Sequence, residues 1–218
     1  MADENLTDEQ QAELVKKWWR ENGVYILAGL VLGVGGLFGW QAWQSSEMVT
    51  SEEASMAYQE MALAVSQKRY NKATEVRDLI NEEYSSTPYA DTSDLALAAS
   101  LMEQNQPEQA VEVLQRLVTG ANEASSRTLA QLRLGRVYLH LGDLDAATAQ
   151  AIYSAQDAYA PLFADLRGDI AYASGELEVA RREYEAALEM AGPGFPQAGY
   201  VRVKLDSIAP AMAEVAAE

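Results

Sequence analysis

Between Glu21 and Glu47 the chain carries no charged residue, and residues 23–40 form an unbroken apolar run. Eighteen or more apolar residues in a row is the length that a membrane-spanning helix requires. All four tryptophans of the chain bracket this run, Trp18 and Trp19 before it and Trp40 and Trp43 at its end. An indole ring is apolar but its N–H needs a polar partner, so Trp favours the headgroup boundary. A helix from Trp19 to Trp40 rises about 32 Å at about 1.5 Å per residue, against a hydrocarbon core of about 30 Å. The spacing predicts an anchor in membrane lipid with a tryptophan pair at each interface.

Lys16, Lys17 and Arg20 precede the run, and the next basic residue is Lys68. Positive residues mark the cytoplasmic side of a span. The expected organisation is a cytoplasmic tail over residues 1–22, a transmembrane helix over 23–43, an exported domain over 44–208 and a flexible tail over 209–218. A cleaved signal peptide fits less well. The run exceeds the usual apolar core of about 7–15 residues, and residues 41–46 offer no A-x-A site. Thr7-Asp8-Glu9-Gln10 reads as a capping box. It predicts a short amphipathic helix from Asp8 towards Trp19 or Arg20, and Asn22-Gly23 either breaks that helix or lets it run into the span.

From Gln44 onward the chain has 13 Lys or Arg against 27 Asp or Glu, a formal charge of −14. Such a surface repels nucleic acid, so none is expected as a partner. The chain has no cysteine, which excludes disulfides, thiolate catalysis and thiolate-bound metal. His140 is the only histidine, so no paired-histidine metal site can form. There is no Gly-rich phosphate loop ending in Lys-Ser or Lys-Thr, and the Gly33-Val34-Gly35-Gly36 cluster lies inside the apolar run. Asp165 with Asp169, and Glu185 with Glu189, stand one helical turn apart, a spacing adequate for acid–base chemistry. Among 33 acidic residues such pairs arise by chance. The expectation is a binding protein, with neither catalysis nor a cofactor.

Beyond the run no alternating pattern for strands occurs. Apolar residues recur every three or four positions in segments rich in Ala, Leu, Glu, Gln and Arg, as in helices. Turn signals stand at Thr87-Pro88, Asn105-Gln106-Pro107, Gly120, Gly142, Gly175 and Gly192-Pro193-Gly194. Gly135, Gly142, Leu144 and Ala147 recur 33 residues later as Gly168, Gly175, Leu177 and Ala180, while Tyr138 and Tyr172 are one position out of phase. Ala73 and Ala110 precede Ala147 at intervals of 37. A period near 34 with small residues at helix crossings is similar to the tetratricopeptide pattern. Leu134-Gly135-Arg136-Val137-Tyr138 fits its Leu-Gly-x-x-Tyr element, although its usual Trp is absent from every repeat. The expected fold is all-α. One transmembrane helix precedes a right-handed tetratricopeptide-like solenoid of about four helix pairs, capped by a helix over residues 195–208. Tyr200, Val201, Val203, Leu205 and Ile208 are expected to cover the open end.

Two surfaces suggest partners. Gly29 and Gly33, with Gly36, form a small-residue strip in the span where another membrane helix could approach closely, as do Gly35 and Gly39. The tetratricopeptide resemblance places the first helix of each pair along a concave groove. Projected here, Leu132, Arg136, Leu139 and His140 would line it in the third repeat, with Asp165, Asp169 and Tyr172 in the fourth. Such a groove would be mixed apolar and acidic, and its aspartates would repel a terminal carboxylate.

Taken together, the chain resembles the ancillary SecYEG translocon subunit family of bacterial inner-membrane proteins. The likeness is carried by Leu6-Thr7-Asp8-Glu9-Gln10, Lys17-Trp18-Trp19-Arg20-Glu21-Asn22-Gly23, Gly39-Trp40 and Ala54-Ser55-Met56-Ala57-Tyr58. It returns at Leu132-Arg133-Leu134-Gly135-Arg136-Val137 and Ala164-Asp165-Leu166-Arg167-Gly168-Asp169. The resemblance implies a cytoplasmic tail, one span and a periplasmic helical-repeat domain beside the Sec translocon. It also implies association with a membrane-anchored periplasmic chaperone of the peptidyl-prolyl isomerase type, and no catalytic residues. A homo-oligomer stays open. Two rival roles are a general scaffold for envelope assembly and a regulator whose acidic tail (Asp3, Glu4, Asp8, Glu9, Glu13) sequesters a cytoplasmic partner.

Overall fold

The computed structural model describes residues 8–153, 158–192 and 195–215. Its elements are α1 (Asp8–Ser66), α2 (Tyr70–Glu83), α3 (Pro88–Glu103), α4 (Pro107–Gly120), α5 (Ala124–Leu141), α6 (Leu144–Gln150), α7 (Ala160–Ala173), α8 (Leu177–Ala191) and α9 (Ala198–Val215). Two compact units divide at Glu52 and Glu53.

In the first unit Asn22-Gly23 does not interrupt α1. The Asn22 amide donates to the Trp18 carbonyl at 3.0 Å, an internal bond four residues back. The Trp19 ring lies over Gly23, 3.2 Å from where a Cβ would stand. The side chain thus covers the backbone that glycine leaves bare. Among the described residues one helical segment, Gln11–Gln41, is long and apolar enough to cross a membrane, and its most apolar 18 residues have a mean hydropathy of 1.8. Val24, Leu27, Leu30, Val31, Leu37 and Phe38 are all exposed along it. A helix with apolar side chains on every side is suited to a hydrocarbon surrounding. Thr7 of the expected capping box lies outside the described residues.

The second unit is built from consecutive antiparallel pairs. α3 packs on α4, α5 on α6 and α7 on α8, while α4 meets α5, α6 meets α7 and α8 meets α9. First helices also touch one another, α3 with α5 and α5 with α7, so they form one layer. The final part of α1 joins this array through Met61 and Ala64, buried in the same core as Ala73, Val76 and Ile80 of α2.

The turn inside each pair has one geometry. Lys68, Asn105, Gly142 and Gly175 all take positive φ, at 56°, 58°, 78° and 79°. At each turn the next N–H reaches back five residues: Arg69 to Ala64, Gln106 to Leu101, Asp143 to Tyr138 and Glu176 to Ala171, at 2.8–3.0 Å. This left-handed cap satisfies carbonyls that a helix end would otherwise leave without partners. Five residues after each left-handed position stands an alanine, Ala73, Ala110, Ala147 or Ala180, and each is fully buried. Asp143 caps α6 as well, accepting from the Ala146 N–H at 3.0 Å.

Two glycines set the closest approaches. A Cβ at Gly135 would lie 2.7 Å from Leu166 Cδ2, and one at Gly168 would lie 2.4 Å from Tyr184 Cε1. At the far end Val201 and Ile208 are buried against α8, and Leu205 packs beside them. Tyr200 and Val203, expected to share that burial, stay exposed because they project from the other side of α9. α9 also runs past Pro210 to Val215, beyond the residue 208 boundary expected for the cap. Ala211–Val215 is rich in strong helix formers, and these continue the helix despite the donor lost at proline.

Candidate functional site

The layer of first helices positions the candidate site. On α5, Leu129, Arg133, Arg136 and His140 follow one another at intervals of four, three and four residues, which keeps them on one face. Arg136 and His140 are exposed on that face. Leu132 is not. It is 1% exposed and belongs to a core patch with Ala147, Ala151, Phe163, Leu166 and Ile170. One residue is a turn of about 100° around the helix, enough to aim Leu132 at α6 and α7. Leu139, seven residues further on, packs partly buried beside the same patch.

On α7, Asp165, Asp169 and Tyr172 share a face by the same spacing. They do not make an acidic groove. The Asp165 carboxylate is only 6% exposed, and Lys204 of α9 approaches it at 2.6 Å. Lys204 also reaches Asp169 at 2.7 Å. Arg136 stands 3.4 Å from the other oxygen of Asp165, which links the α5 and α7 faces. The Tyr184 hydroxyl donates to Asp169 at 2.7 Å. Burial first, then this hydrogen bond, raises the Tyr184 pKa far above the usual phenol value. The two carboxylates are therefore neutralised in place, and Tyr172 remains exposed beside them. The expected repulsion of a carboxylate fails at this point because a lysine one repeat further along supplies the counter-charge.

The open concavity lies earlier in the array. A cavity of about 430 Å³ is lined by Tyr58 of α1, Leu95 and Ala99 of α3, and Leu129 and Arg133 of α5, with Tyr159 at its edge. A second, of about 240 Å³, shares Ala99 and Arg133 and adds Met102, Val137 and Arg136. Among the described residues neither is lined by an acidic one. Arg133 is half-buried and donates to the Leu95 carbonyl at 2.9 Å. Burial, then the nearby charge of Arg136, lowers its pKa from the ordinary guanidinium value, although it remains protonated at neutral pH. Tyr58 is held by Tyr89, with ring centroids 5.9 Å apart. The sequence reading missed Arg133, Lys204, Tyr58 and Ala99. The spacing from Leu129 to His140 carried a usable signal for Arg133.

The apolar helix offers a different surface. A Cβ placed at Gly29, Gly33, Gly35, Gly36 or Gly39 would meet nothing within 4 Å. Trp18, Trp19 and Trp40 are exposed at its ends, and Lys16, Lys17 and Arg20 are exposed beside the first two. Trp43 continues the helix, and its side chain lies outside the described residues.

Residues 16–210 match the family described as tetratricopeptide repeat-like domain. The ancillary SecYEG translocon subunit of Escherichia coli (strain K12) is 31% identical over 85% of this chain and 88% of its own length. The protein of that name from Haemophilus influenzae is 30% identical over 84% and 89%, respectively. That of Aggregatibacter actinomycetemcomitans is 31% identical over 93% and 98%. With one apolar helix joined to an all-helical repeat domain, the chain belongs to the ancillary SecYEG translocon subunit family.

Proposed function

We propose that this chain is a non-catalytic accessory subunit of the Sec protein translocon in the bacterial inner membrane. Residues 23–43 cross the bilayer, residues 1–22 are cytoplasmic, and residues 44–208 form a periplasmic domain. That domain binds a membrane-anchored chaperone of the peptidyl-prolyl isomerase type and assists the transfer of newly exported proteins. The observation that carries this reading is the joining of one exposed apolar helix to a repeat domain, in a chain matching its named relatives over most of both lengths. The basic residues before the span support the orientation. The open glycine strip at Gly29, Gly33 and Gly36 supports a contact with another membrane helix.

Photo-crosslinking in intact membranes tests it. A photoreactive residue at Gly33 is expected to capture a translocon subunit, and one at Ala99 to capture the chaperone. Adducts from Ala99 alone would favour the envelope scaffold instead. Gly29→Leu with Gly33→Leu is expected to weaken co-purification with the translocon in mild detergent, and unchanged recovery would count against the helix contact.

A further inference from the structure

We propose that the outer edge of the repeat array, formed by the end of α1 and by α2, docks an amphipathic helix of a partner protein whose apolar stripe is flanked by Lys or Arg. The proposal rests on the reading of the repeat domain as a binding domain. It adds a second surface, away from the concave cavities, and the chemistry of its partner.

Geometry places this edge. Tyr58 of α1 packs on Tyr89 of α3, and Met56 stands two residues earlier, about 200° around the helix. On α2, Arg77 and Asn81 both reach Asp94 of α3, and Leu79 stands two residues from each. Met56 and Leu79 therefore face away from α3. Leu63 shares the Met56 side, because seven residues make about two turns. Met56, Leu63 and Leu79 are 59%, 53% and 46% exposed, while Met61, Ala73 and Ile80 on the inward sides of the same helices are fully buried.

The other end of the array shows what covers such a surface. There α9 lies on α8 through Val201, Leu205 and Ile208, at intervals of four and three residues, and Lys204 among them meets Asp165 and Asp169. A terminal helix on this fold is thus an apolar stripe with a cation beside it. The first pair presents the matching combination to the outside. Glu75 and Glu83 flank Leu79 one turn to either side, Glu53 and Glu60 flank Met56, and all four are exposed. Lys72 pairs with Glu60 at 3.4 Å and Glu75 at 3.1 Å, which leaves carboxylates in excess. Lys68 and Arg69 stand at the turn beyond Leu63, so the excess lies towards Met56 and Leu79. A helix with apolar residues three or four apart packs along such a ridge, and its cations meet the acidic rim. The same rim repels an anionic lipid headgroup.

The test uses the full chain in phosphatidylcholine nanodiscs, with empty nanodiscs as the blank. Fluorescence anisotropy follows a labelled helical peptide with a Leu stripe flanked by Lys. A matched peptide carries Glu in place of Lys, and a third scrambles the order of the first. The Lys-flanked helix is expected to bind about tenfold tighter than either, and its advantage over the Glu peptide to shrink as salt is raised. Met56→Gln with Leu79→Gln, at exposed side chains, should weaken that binding about fivefold or more with unchanged circular dichroism. Glu75→Gln with Glu83→Gln should lower the preference for Lys over Glu, and Tyr200→Gln, on the exposed side of α9, should change neither. Equal binding of the three peptides, or binding that survives Met56→Gln with Leu79→Gln, would overturn the proposal. So would sedimentation showing that the chain pairs with itself through this edge, in an association that Leu79→Gln abolishes. Crosslinking from Gly33 and from Ala99 does not depend on this edge, so failure here leaves the translocon and chaperone readings to their own tests.

Discussion

Gly168 and Tyr184 occupy a single space between α7 and α8: the phenol ring lies where a Cβ on residue 168 would have to go, 2.4 Å from Cε1 and 2.5 Å from Cδ1. The ring is rigid, 2% exposed, and tied by its hydroxyl to Asp169. Neither element can yield without moving the other.

Gly168→Ala is therefore expected to destabilise the repeat domain by about 2–3 kcal/mol, the upper part of the range for overpacking. Gly135→Ala meets the flexible end of Leu166 at 2.7 Å and should cost about 1 kcal/mol. Urea unfolding followed by far-ultraviolet circular dichroism measures both. A larger loss for Gly135→Ala would show that ring rigidity is not what matters.

Lys204→Met leaves Asp165, 6% exposed, with only the long contact to Arg136. Removing one partner of a mostly buried pair should cost about 2–3 kcal/mol, moderated because Lys204 is itself 31% exposed. Asp165→Asn added to it should recover part of the loss. A double substitution as damaging as the sum of the two singles would mean the pair is not coupled.

At the turns, Lys68 and Asn105 adopt the left-handed conformation that Gly142 and Gly175 adopt without steric penalty. Lys68→Gly is expected to stabilise by about 0.5–1 kcal/mol, and Asn105→Gly by less because asparagine tolerates this region. Thermal melts of the two variants settle the order.

Tyr184 has its pKa raised in the folded state, first by burial and then by Asp169. The folded protein therefore holds this proton where the unfolded chain, with a phenol near pH 10, releases it. The contribution is complete below about pH 10 and is lost as pH rises beyond it. In Tyr184→Phe the stability should start about 1 kcal/mol lower, for the lost hydrogen bond, and fall less steeply above that pH. Parallel alkaline profiles for the two proteins would refute this origin.

Much of the architecture could be read from residues alone. Pro88 and Pro107 open α3 and α4, Gly120 ends α4, and Gly142 ends α5, as their turn chemistry indicates. Gly135 and Gly168 were legible as close approaches because the second recurs 33 residues after the first. The groove was less legible. Leu132 and Arg133 are neighbours in sequence, yet one faces a core patch and the other a cavity. Choosing between them requires the rotation of α5, which its pairing with α4 and α6 sets. Lys204 could not be assigned to Asp165 from pattern, since the pairing spans α8 and depends on where α9 lies.

Lys204 follows Asp169 by 35 residues, about one repeat. It thus stands where a further first helix would present its own side chains to the acid pair of α7. Lys204 is the cation that closes this acid pair. A longer array would need either a basic residue at the same place in the inserted helix or the loss of both aspartates. Charge as well as apolar fit would thus govern which helix could pack beside α7 at this place. Duplication of α7 and α8 by gene rearrangement would leave the inner pair of carboxylates without its lysine, with only the long contact from Arg136.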